Sequence, residues 1–172
     1  MNLFSYLIVE LNRIFHLKNV YVVILLIIFS PAIGFTLKEA LHNQVPSQNF
    51  IMNFYTSTIL VSGSLFSLLT FIEFHHINKE NIRALTDNII SPLILNLVRI
   101  VAIEVIATSS VIITGLIYIP YFVMKMEYSF DAYTYFKNFF LFIPFSTLLS
   151  ILASFAFYQI LHRTLKKYMV FF

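Results

Sequence analysis

Four apolar runs, at residues 20–37, 54–72, 92–119 and 139–161, account for most of this chain. Each approaches or exceeds the ~18 residues that mark a membrane-crossing helix. A backbone in lipid has no water to bond, so it must satisfy its own polar groups, and such runs are expected to be helices. Composition agrees. Hydrophobic residues make up 59% of the 172 residues and charged residues 11%, whereas a soluble domain carries ~25% charge. Mean hydropathy is +0.85. The chain has too little polar surface to cover itself in water and reads as an integral membrane protein. The expected fold is all-α and polytopic: residues 1–172 form a single transmembrane domain with an N-terminal interfacial helix and four spans.

Residues 1–18 carry Leu3, Phe4, Leu7, Ile8, Leu11, Ile14 and Phe15 at steps of three and four, with Asn2, Glu10, Asn12, Arg13 and His16 largely elsewhere. That pattern predicts an amphipathic helix suited to the membrane interface. A signal peptide with residues 20–29 as its apolar core is disfavoured, because the segment before it is too long and too apolar. Pro31 and Gly34 should bend or loosen the outer end of the first span, Pro120 should mark an exit, and Pro144 an early kink.

Orientation follows from the basic residues. With the N-terminus inside, Arg13, Lys18, Lys79, Arg83, Arg99, Arg163, Lys166 and Lys167 fall on the cytoplasmic side, and only Lys38, Lys125 and Lys137 outside. This asymmetry predicts both termini inside. Tyr128, Tyr133 and Tyr135 then sit in an outer loop, as an interfacial aromatic belt would. The net charge of +3 comes from span ends and forms no block, so a nucleic-acid partner is not expected. Cysteine is absent, which removes disulfides and thiolate metal sites. Abundant Phe, Ile, Tyr and Asn point to AT-rich coding sequence, as in a low-GC bacterium, and hence to a bacterial cytoplasmic membrane.

Small residues stand four apart in two spans: Gly63 and Ser67 in one, Ser146, Ser150 and Ser154 in the other. Spacing of this kind lets helix backbones approach closely in lipid. The competing reading is a polar stripe along a substrate path.

The loop between the second and third spans is longer than a turn requires. Over residues 78–90, Ile82, Leu85 and Ile89 share one helical face, while Glu80, Arg83 and Asp87 share another at spacings of three and four. Asn78 stands where a cap would, and Pro92 opens the next run. A short amphipathic helix on the cytoplasmic side is therefore expected, with charges of both signs offered to a partner.

Two charges lie inside the third run. Arg99, about two turns past Pro92, is expected to snorkel its guanidinium to the interface. Glu104 lies ~18 Å along the helix from Pro92 and is turned ~140° from Arg99, too far round for a good pair. An ionisable group at a span centre costs ~2.5–3.5 kcal/mol on insertion scales. Glu104 must find hydroxyls on a neighbouring helix, water in a cavity, a partner subunit or a proton, which makes it a transport candidate. Glu73, His75 and His76 lack the spacing that puts two imidazoles on one face, so no metal site is expected. No phosphate-cradling G-x-x-x-x-G-K-[ST] motif and no G-x-S-x-G elbow occurs, so no enzyme activity and no cofactor are expected of this chain.

The segments "LNRIFHLKNVYVVILLIIFSP", "FIEFHHINKENIRALTDNIISP" and "LILNLVRIVAI" together resemble the front of an ABC-2 type permease, the membrane subunit of type-2 ATP-binding-cassette exporters. The resemblance implies a permease that works as a homo- or hetero-dimer with a separate ATPase, and it gives residues 78–90 the role of the coupling helix. Glu80, Arg83 and Asp87 are then the ATPase contacts. The family module has six spans and this chain four, so the expectation is either a truncated permease or a complete four-span relative. The alternative reading is a non-transporting four-helix accessory or immunity protein. A third, an intramembrane enzyme using Glu104 and histidines, has no motif behind it.

Overall fold

The computed structural model describes residues 3–39, 47–79, 91–126 and 132–169, and of these only His16, Leu17 and Ser91 lie outside helices. The five helices are α1 (Leu3–Phe15), α2 (Lys18–Glu39), α3 (Ser47–Lys79), α4 (Pro92–Met126) and α5 (Ala132–Met169). Of the expected loop helix, residues 80–90 with Glu80, Arg83 and Asp87 lie outside the described residues, as does Tyr128; Asn78, expected as its cap, instead belongs to α3, which continues to Lys79.

Among the described residues, three stretches are long and apolar enough to cross a bilayer: Asn53–His76, Leu93–Met124 and Tyr135–Leu161. A fourth is present if α1 and the first part of α2, which meet at 77°, count as one bent span. The outer surface suits lipid. Along α2, Tyr21, Val22, Leu25, Leu26 and Phe29 are exposed, while Val20, Val23, Ile27 and Ser30 are buried at steps of three and four. The bundle is a helical membrane protein.

α3 packs most extensively, against α5 on one side and α2 on the other; α4 touches all four of the other helices. The small residues sit at the α3–α5 seam. A Cβ added to Gly63 would lie 2.8 Å from the Ser150 hydroxyl. One turn further on, the Ser154 hydroxyl donates to the Ser67 carbonyl at 2.6 Å. Close approach thus places a hydroxyl on another helix's backbone.

Pro120 does less than the sequence suggested. α4 runs through Pro120 to Met126, so Pro120 marks no exit. α2 and α5 likewise continue through Pro31 and Pro144. Proline deletes one backbone bond, but ending a helix within lipid would expose several polar groups. Pro92 does open α4, with the Ser91 carbonyl accepting from Leu95 N at 3.1 Å.

One end of the bundle is closed by aromatic rings. Phe54 lies 4.9 Å from Phe122 and 6.2 Å from Phe139, centre to centre, and Tyr135 lies 5.2 Å from Phe122. The phenols tie four helices together. Tyr55 donates to the Tyr135 carbonyl (2.8 Å), Tyr135 to Gly115 (3.0 Å) and Tyr118 to Ile28 (3.0 Å). Tyr135 is therefore no belt residue: it is 1% exposed, whereas Tyr133 is 73% exposed. A buried ring stays because its hydroxyl reaches a partner.

Candidate functional site

The opposite end carries a cluster of charges from three helices. α1 is held there by Ile14, which is buried, while Phe4, Ile8 and Val9 face outward. Glu10 shares the buried side and is 4% exposed. Its Oε2 accepts from Arg13 Nε at 3.1 Å; its Oε1 accepts from Arg13 Nη2 at 2.9 Å and from Arg99 Nε at 2.8 Å. Arg13 Nη2 also donates to Glu73 Oε1 at the end of α3. Two cations and two carboxylates thus join α1, α3 and α4 with no net charge.

The cluster is unevenly wet. Side-chain exposure is 4% for Arg99, 5% for Glu10 and 6% for Glu73, but 37% for Arg13. Burial alone would raise the Glu10 carboxyl, yet the bonds and charges of Arg13 and Arg99 outweigh it and hold Glu10 below the ordinary carboxylate range. Arg99 does not extend into open water, as a snorkelling guanidinium would. It sits 4% exposed, because Glu10 meets it inside the bundle and a paired guanidinium need not extend to water. Its Nη1 has no partner among the described residues.

Glu104 lies deeper and meets α5. Its Oε1 is 3.0 Å from Thr147 Oγ1, and its Oε2 is buried without a partner among the described residues. It is partly exposed at the α4–α5 seam. Thr147 Oγ1 is also 2.9 Å from the Pro144 carbonyl and 3.2 Å from that of Ile143. The hydroxyl on a neighbouring helix that Glu104 requires is therefore Thr147.

Of the residues singled out in the sequence, Arg99 and Glu104 fall in two separate sites. Glu10, Arg13 and Glu73 were not singled out as partners of Arg99. A signal for them existed. A buried arginine needs a carboxylate, and the chain has only eight Asp and Glu residues to supply one. Glu10 stands at i,i+3 from Arg13, the spacing of a helical ion pair.

The fold defines a class, a multi-helix membrane protein with a buried ionic cluster at one end and an intramembrane carboxyl deeper in the bundle. No family model matches the chain, and comparisons with curated proteins and with solved structures find no match.

Proposed function

We propose that this chain is the membrane permease subunit of an ATP-driven exporter of the ABC-2 type, working as a homo- or hetero-dimer with a separate ATP-binding-cassette ATPase. It has four spans in a bacterial cytoplasmic membrane, both termini inside, and α1 lies in the inner interface. The observation that supports this reading is the ionic cluster. Glu73 lies six residues before the end of α3 and Arg99 seven residues into α4, and the stretch between those helices is the one that would dock on the ATPase; both side chains are held on α1 through Arg13 and Glu10. A push on residues 78–90 would reach α1, α3 and α4 as one body, as a rocking mechanism requires. Aromatic packing at the far end would stay closed until that body moves.

Arg83→Glu tests it. An exposed ion pair with Glu80 or Asp87 is worth ~0–1 kcal/mol, so the membrane fold survives the change. Like charges brought together across an interface cost several kcal/mol, so docking should not. Pull-down of a cognate ATP-binding-cassette ATPase, at equal membrane abundance, should fall at least ~10-fold. Unchanged association for substitutions at Glu80, Arg83 and Asp87 together refutes the docking role. The second reading, a four-helix accessory or immunity protein, is favoured by the closed aromatic end and would then take its place.

A further inference from the structure

We infer that Glu104 is a proton-binding site within the membrane: at neutral pH its carboxyl carries a hydrogen and donates it to Thr147 Oγ1. The inference rests on the chain spanning a bilayer and not on the permease reading.

Depth is the first support. Glu104 is ~18 Å along α4 from Pro92, and Thr147 is near the midpoint of the apolar stretch Tyr135–Leu161. The helices packed on α4 bring charged side chains, but none pairs with Glu104 among the described residues. Glu10 and Arg13 on α1 and Glu73 on α3 are engaged with one another and with Arg99. Lys18 opens α2, His75 and His76 end the apolar stretch of α3, and Lys137 lies near the start of α5, ten residues before Thr147. An isolated carboxylate in so apolar a place costs far more than a neutral acid, and such a group neutralises instead.

Hydrogen counting is the second. Thr147 has one hydroxyl hydrogen and three acceptors in reach. Most other buried serine and threonine hydroxyls spend theirs on their own helix, as Thr58 does on Phe54, Thr70 on Phe66, Ser110 on Ile106 and Thr114 on Ser110; Ser154, which donates across to Ser67, is an exception. If Thr147 likewise donates to the Pro144 carbonyl at 2.9 Å, only lone pairs of its oxygen face Glu104 Oε1 at 3.0 Å. Two such oxygens attract only when one bears a hydrogen, and the carboxyl is the group that can. The result is a directed chain, from the Glu104 O–H to the Thr147 hydroxyl to the Pro144 carbonyl. Oε2 is then the carbonyl oxygen of a neutral acid, which tolerates lacking a partner better than half of an anion does. Releasing the proton leaves a negative charge in mid-membrane, so release waits until water or a cation enters the α4–α5 seam.

Infrared spectroscopy of the whole protein in lipid vesicles at neutral pH reads this directly. The spectrum of wild type minus Glu104→Gln should show one carboxylic-acid C=O band per chain, sensitive to deuterium exchange. Thr147→Val should shift that band to higher frequency, and Thr147→Ser should leave it in place. Matching far-ultraviolet circular dichroism of the variants establishes equal folding. A difference spectrum with only carboxylate bands overturns the assignment. An acid band that Thr147→Val does not move overturns the Thr147 chain.

Discussion

Removing the Glu10 charge should destabilise the bundle more than removing the arginine it neutralises deep in the protein. In Glu10→Gln, Arg99 remains 4% exposed with no carboxylate on its Nε, and Arg13 keeps only Glu73. Stripping one partner from a buried pair costs ~3–5 kcal/mol. We take the lower end, ~3 kcal/mol, because the glutamine oxygen can still accept one bond from Arg99. That is a loss of about two decades in the folded-to-unfolded ratio. Arg99→Met acts differently. Glu10 keeps both bonds from Arg13 and a methionine fills the space, but two carboxylates then share one cation, so the cost should be ~1–2 kcal/mol, still below that of Glu10→Gln. The double variant Glu10→Gln/Arg99→Met should recover most of the single Glu10→Gln loss, because no unpaired buried charge is left. The assay is unfolding in mixed micelles titrated with sodium dodecyl sulfate, followed by far-ultraviolet circular dichroism. If Glu10→Gln lies within ~0.5 kcal/mol of wild type, or the double variant is no better than the single, then Arg99 is not neutralised by Glu10 and the cluster is incidental.

Acid should loosen α1. Glu10 has a depressed folded-state pKa, so the unfolded state binds more protons; its contribution is full above the ordinary carboxylate range near ~4.3 and is lost as pH falls through the folded value. Amide protection factors in α1, taken against the intrinsic exchange rate at each pH, should fall on acidification in wild type, and the Glu10→Gln protein should lack that response; identical pH profiles would contradict it. Gly115→Ala should destabilise by ~1–3 kcal/mol, since the new Cβ would lie 2.5 Å from the Phe139 ring. Gly63→Ala should cost less, because the group it meets is a Ser150 hydroxyl able to rotate away; equal losses for the two would count against the ring contact as a rigid stop. With no native cysteine, single cysteines at Ser47 and Ser129 should react with impermeant maleimide from outside and one at Thr86 should not; outside labelling at Thr86 would invert the topology.

The helices were legible because their cause is local. Apolar runs of span length, Pro92 at a helix start and small residues spaced by four are all properties of one segment; the last three runs, Pro92 and the Gly63–Ser150 approach appear where the pattern put them, while the first run reaches span length only together with α1. That Glu104 needs a hydroxyl, water, a partner subunit or a proton was equally plain, since burying a carboxyl in lipid has the same cost whatever the fold. The partner of Arg99 was not legible, for the complementary reason. Its depth along α4 is set by counting residues, but its partner stands 89 positions away on α1.

The sequence by itself determined that this chain enters a membrane as helices, because hydrophobic length and backbone satisfaction leave no other solution. Only the tertiary structure decided which polar groups meet. Tyr135 becomes an interior post and not a belt residue because α4 presents the Gly115 carbonyl to its hydroxyl. Thr147 rather than another of the many hydroxyls serves Glu104 because α4 and α5 cross at that level. Glu10, an ordinary polar-face residue of an amphipathic helix, becomes the centre of the ionic cluster once α1 bends 77° from α2 and lies against α4. Those contacts depend on helix crossing and rotation, which cross-helix packing sets and no single segment encodes.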